Sequence, residues 1–148
     1  MKGKGKHVFD WLGKDSEELA SRLARSWRKD TSYDPKGWSV RNRAWGQCAV
    51  TALIVQDLLG GKLLRGKVNG YEHYWNLLPN DRELDLTLRQ FGVVVEASPP
   101  VEVSRDFVLS FPDTVLRYRR LQKLVPAPPT EYNPSLSITS PARTVSLL

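Results

Sequence analysis

Trp45-Gly46-Gln47-Cys48-Ala49-Val50-Thr51-Ala52-Leu53 is the stretch from which the fold is read, because a polar turn here runs into a long apolar segment. Apolar residues continue through Ile54, Val55, Leu58 and Leu59 to Gly60-Gly61, a pair that stops a helix. The pattern predicts a helix from about Cys48 to Leu59. Being apolar on nearly all sides, it should sit at the centre of the fold. Cys48, the only cysteine, falls in its first turn, where unpaired amide N–H groups and the helix dipole favour a thiolate.

Downstream, Lys62–Val68 and Tyr71–Leu78 flank Asn69-Gly70, a two-residue hairpin signal whose positions both need positive φ. That turn sets Val68 opposite Tyr71 and Gly66 opposite His73. Leu64, Gly66, Val68, Tyr71, His73, Trp75 and Leu77 then share one pleat face, with Arg65, Lys67 and Glu72 on the other. The first face is expected to be buried under the Cys48 helix, with Gly66 leaving room beside the His73 ring. A lone histidine on an apolar face is more often a core residue than a catalyst. The upstream cysteine tips the reading towards catalysis.

A second hairpin is expected through Pro79-Asn80-Asp81 into Arg82–Leu88. Its parity matters, because an odd-numbered loop puts Asp85 on the His73 face and a two-residue turn puts it on the other. The odd case leaves Leu84, Leu86 and Leu88 on the opposite face. Phe91–Val95, Val101–Val108 or the first helix should cover them. Asn76 lies on the face opposite His73 and is the weaker candidate to orient the imidazole.

The flanks read more simply. Asp15 as N-cap and Glu18 as its capping-box partner predict a helix over 16–28, with Leu19, Leu23 and Trp27 on its buried side. Residues 30–46 read as an ordered loop, and its Trp38 and Trp45 as packing residues or cleft walls. Val93-Val94-Val95 suggests a short strand. Asp113–Leu124 suggests a basic amphipathic helix docking through Val115, Leu116, Leu121 and Leu124.

Gly46-Gln47-Cys48-Ala49-Val50-Thr51-Ala52-Leu53, Val55-Gln56-Asp57-Leu58, Gly60-Gly61, His73-Tyr74-Trp75-Asn76 and Asp85-Leu86-Thr87 with Gln90-Phe91 resemble the YunG-like family of small bacterial proteins, over roughly residues 40–95. More distantly, the order of a helix-borne Cys, a strand His and an Asp-Leu-Thr looks like the transglutaminase-like branch of the papain-like thiol fold. The resemblance implies an α+β fold with the Cys48 helix packed on an antiparallel sheet. It also implies Cys48 as nucleophile, His73 as base and Asp85 as orienter. In such a scheme the Cys48 backbone N–H and the Gln47 side-chain amide are candidate oxyanion donors, and Trp45, Trp75 and Asn76 are candidate cleft residues. The expected reaction is hydrolysis or acyl transfer at an amide or ester, in a protein, peptide or small amide substrate. No cofactor is expected.

At 148 residues, 41% hydrophobic and 26% charged, the chain suits one globular domain, read as 1–125, followed by a Pro/Ser-rich tail, 126–148, expected to be extended or disordered. A single cysteine forms no internal disulfide, and neither a signal peptide nor a membrane-length apolar run is seen. The expected location is cytoplasmic. The net charge of +6 raises a nucleic-acid role. Residues 1–43 hold 11 of the 22 Lys and Arg but also six acids, which favours a solvated basic face. The two histidines, His7 and His73, have no partners at metal-ligand spacing. An inactive papain-like binding module is the remaining alternative.

Overall fold

A computed structural model describes residues 16–125. The Asp15 cap, the basic N-terminal run and the 126–148 tail lie outside them. In chain order the elements are a helix α1 (16–26), a 3-10 turn (Lys29–Thr31), α2 (Cys48–Leu59), β1 (Lys62–Val68), β2 (Tyr71–Leu77), β3 (Glu83–Leu84), a second 3-10 turn (Leu88–Phe91), β4 (Val101–Val103), α3 (Arg105–Val108) and α4 (Pro112–Leu124). The fold is α+β, with a four-stranded antiparallel sheet in the order β3-β2-β1-β4. None of the described helices is long and apolar enough to cross a membrane.

The local signals act as elementary chemistry dictates. Asn69 and Gly70 turn the hairpin at φ 51° and 83°, and the register pairs Val68 with Tyr71 and Gly66 with His73. Beyond β2, Leu77 pairs with Glu83 across an odd-numbered loop closed by Leu78 N–H to Arg82 C=O at 2.8 Å, so Asp85 shares a pleat face with His73.

The side covered by α2 differs from expectation. Asn76 donates its amide to the Ala52 carbonyl at 3.0 Å. Leu63, Leu78 and Leu84 join Val50, Leu53 and Val55 of α2 in one core, which also takes in Leu19 and Leu23 of α1 and Val108 and Leu121 from α3 and α4. Thus α2 packs on the Leu63/Asn76/Leu84 face; of the three leucines expected opposite Asp85, Leu84 is buried in this core, Leu86 is half-buried against it and Leu88 is exposed. Burying each leucine of that core contributes about 1.5–3 kcal/mol, although the strand residues between them on this face, Arg65, Lys67 and Glu72, are charged.

Other expectations shift as well. Val93-Val94-Val95 forms no strand and stands exposed, because the chain there is held by Asn69, whose amide donates to Val93 C=O and whose carbonyl accepts from Val95 and Glu96 N–H. Leu116 of α4 is 55% exposed. The helix docks through Thr114, Arg117, Tyr118 and Leu121, with Arg117 bonded to Asp113 (2.7 Å) and to the Thr31 carbonyl (3.3 Å). Helix α1 ends at 26, two residues early. Trp27 is still buried and donates to Thr51 Oγ1 at 2.9 Å.

Candidate functional site

The turn into α2 is built around Gly46, whose φ of 75° puts it where a side chain is strained. A Cβ there would come within 2.2 Å of Ser32 Oγ and 2.8 Å of Tyr33 N. Its carbonyl accepts from Tyr33 N–H at 2.8 Å, which pins the loop of residues 30–46 against the helix start. Cys48 follows as the first helical residue, partly exposed, and lines a cleft of about 1080 Å³ with Trp45, Tyr71 and Phe91. The three aromatic rings pack on one another at centroid distances of 5.4–6.4 Å. Two arginines that also line the cleft are neutralised, Arg65 by Glu72 (2.9 Å) and Arg117 by Asp113 (2.7 Å).

His73 is fully buried, and its Nε2 lies 2.7 Å from Asp85 Oδ2. The other carboxylate oxygen, Oδ1, accepts from the Thr87 N–H at 3.2 Å, with the Thr87 hydroxyl at 3.4 Å. This is the turn an Asp two residues ahead of a Thr is suited to make, and it sets the carboxylate's direction. Trp75 stacks on one side of the imidazole (5.4 Å, 25°) and Phe91 meets it edge-on (5.0 Å, 79°). Nδ1 is left without a formed hydrogen bond. Burial, the largest influence on the ring, disfavours its charge. The bond to Asp85, then the thiol of Cys48, then their charges, outweigh burial and push the His73 pKa up from 6.5 to about 9.

Cys48 acts on the His73 ring although α2 packs on the other face of the sheet. At His73, β2 is the outer strand, because β3 pairs only with Asn76 and Leu77. The Cys48 charge also bears on Tyr74, the next residue on β2, which points to the opposite face. Burial first, with a smaller contribution from Cys48, raises the pKa of that phenol. His73 and Asp85 are thus in direct contact, and the Cys48 thiol is among the groups that act on the ring.

The remaining candidates separate. Trp45 lines the cleft. Trp75 does not: it lies behind His73 and donates to Glu83 Oε1 at 2.8 Å. Asn76 is buried against Ala52 and serves packing. Gln47, expected as an oxyanion donor, is wholly buried and points inward, its amide donating to the Arg28 carbonyl at 3.0 Å. That side chain does not line the cleft, which corrects the expectation of a Gln47 donor there. Phe91, expected to cover the far leucines, instead packs on the imidazole. Sequence reasoning quoted Thr87 and Gln90 without assigning them roles. The Asp-x-Thr spacing carried a signal for Thr87, and nothing local carried one for Gln90. Among the described residues no group of three or more His, Cys, Asp or Glu is placed to hold a metal ion.

Comparison with known proteins adds family context. The family model described as "YunG protein" matches residues 15–128. The "Uncharacterized protein YunG" of Bacillus subtilis (strain 168) is 34% identical over 80 residues, which are 54% of this chain and 66% of that protein, a little under two thirds of its length. No solved structure matches.

Proposed function

The chain belongs to the YunG family, and we propose that it is a cysteine-nucleophile hydrolase or acyl transferase with a papain-like or transglutaminase-like core, working through Cys48, His73 and Asp85. The observation that carries the reading is a fully buried imidazole with one nitrogen bonded to a carboxylate at 2.7 Å and the other left for the thiol that perturbs it. A structural histidine in a core would be expected to have both nitrogens satisfied.

In the proposed reaction the Cys48 proton passes to His73 Nδ1 and the sulfur attacks the carbonyl carbon of an amide or ester. Asp85 holds the ring and stabilises its charged form. The oxyanion is met by the Cys48 N–H in the first turn of α2. Collapse breaks the bond to the leaving group, which takes the proton from His73, and leaves an acyl thioester. Water or an amine then gives its proton to His73, attacks the thioester carbon and frees the thiol. The aromatic wall of Trp45, Tyr71 and Phe91 gives an acyl or side-chain group apolar contact next to the sulfur.

The test uses p-nitrophenyl acetate and intact-mass analysis. Wild-type protein should release p-nitrophenolate in a burst and carry one acetyl group on Cys48. Cys48→Ala should give none, and His73→Ala should slow acylation by about 10²–10⁴-fold. A wild-type protein with no burst, whose thiol reacts with iodoacetamide no faster than a free cysteine, would sink the proposal and leave an inactive binding module.

A further inference from the structure

Gln90 is buried (7% exposed) between the two halves of the site. Its Oε1 accepts from the Gly46 N–H at 3.0 Å, and its Nε2 donates to the Thr87 carbonyl at 2.9 Å. Gly46 is two residues before Cys48. Thr87 is the residue that orients the Asp85 carboxylate. One planar amide thus spans from the nucleophile's turn to the orienter's turn, across 44 residues of sequence. Phe91, the next residue in the same 3-10 turn, sets its ring edge against His73. The backbone of Gln90 is held in turn by the Asn42 amide, which donates to its carbonyl at 3.0 Å.

The partners explain why glutamine is needed. Gly46 offers a donor and Thr87 an acceptor, so the bridging group must be an acceptor at one atom and a donor at the adjacent one, which an amide provides and a carboxylate or hydrocarbon does not. Glutamine has the length to reach both. Gly46 has no rotational slack, because its own carbonyl is committed to Tyr33 and a Cβ is excluded by Ser32.

We infer that Gln90 is a positioning residue: by bridging Gly46 and Thr87 it sets the spacing between the Cys48 sulfur and the His73–Asp85 pair. The inference rests on the catalytic reading above. Because α2 packs on the face away from His73, the helix core alone does not fix that spacing. A misplacement of about 1 Å between reacting groups costs on the order of 100-fold in rate.

The experiment compares Cys48 alkylation by iodoacetamide, from pH 5 to 10, in wild type, His73→Ala, Gln90→Met and Asn42→Ala, with Tm measured for each. Gln90→Met keeps the side chain's length and removes both hydrogen bonds. Asn42→Ala loosens the same turn without touching the bridge. Gln90→Met is expected to stay folded, to lose about 10- to 100-fold in alkylation rate near neutral pH, and to shift its pH profile towards that of His73→Ala. Asn42→Ala should keep the wild-type profile.

If Gln90→Met does not fold, Gln90→Glu, which keeps the acceptor and loses the donor, is read in the same way. Wild-type reactivity that depends on His73 together with a Gln90→Met profile within twofold of wild type overturns this inference and leaves the catalytic reading standing. So does Asn42→Ala matching Gln90→Met. Wild-type reactivity equal to that of His73→Ala overturns both.

Discussion

The protonation of His73 gives the most quantitative prediction. A histidine whose pKa rises from 6.5 in the unfolded chain to about 9 in the folded protein stabilises the fold only while charged. The full contribution is present below about pH 6.5 and is lost as pH rises through about 9. At 1.36 kcal/mol per pH unit, that difference amounts to about 3 kcal/mol for this fully buried ring. Asp85→Asn keeps an acceptor near Nε2 and removes the charge. It takes away the first and the last of the influences that raise the pKa, leaving those of Cys48 alone to oppose burial, which lowers it. Two measurements check this. The His73 ring proton, followed by NMR, should titrate near pH 9 in wild type and well below that in Asp85→Asn. Urea unfolding at pH 6, 7.5, 9 and 10 should show wild type losing about 3 kcal/mol over the range, with a smaller loss in the variant. A wild-type His73 that titrates at or below 6.5, or stability–pH curves that run parallel in the two proteins, would refute the reasoning.

Two substitutions test the framework around the site. Gly46→Ala forces a Cβ into the left-handed region and against Ser32 Oγ, which itself bonds the Trp45 carbonyl at 2.7 Å and the Asp34 N–H at 3.1 Å. It should cost about 2–4 kcal/mol in urea unfolding and slow Cys48 alkylation as well. Asn76→Ala removes a buried bond to Ala52 on the α2 face and should cost about 1–3 kcal/mol, with the pH profile of Cys48 alkylation unchanged. A changed profile would return Asn76 to the site.

Much of the scaffold was legible because its signals are local. The apolar run ended by Gly60-Gly61 gave α2 with the bounds Cys48–Leu59, and Asn69-Gly70 gave the hairpin register residue by residue. Parity then allowed Asp85 to be placed beside His73 once an odd loop was assumed. The Gln47 assignment failed for the opposite reason. Adjacency to Cys48 said nothing of direction, and the side chain's partner, the Arg28 carbonyl, comes from a turn 19 residues away. Trp75 was placed on the right strand face, but its indole was claimed by Glu83 instead of a cleft. Val93-Val94-Val95 had strand composition, yet the hydrogen bonds around it go to the Asn69 side chain.

The sequence by itself determined the helix, the hairpin, its register and the order of thiol, imidazole and carboxylate, because backbone φ preferences and periodicities of 3.6 and 2 are written in neighbouring residues. Only the tertiary structure decided which face of the sheet α2 covers, that Phe91 closes on His73, and that Gln90 joins Gly46 to Thr87. Both sheet faces carry apolar side chains, so alternation cannot choose between them. The choice is made by packing and by hydrogen bonds between residues far apart in the chain, whose free energy exists only once the chain has closed on itself.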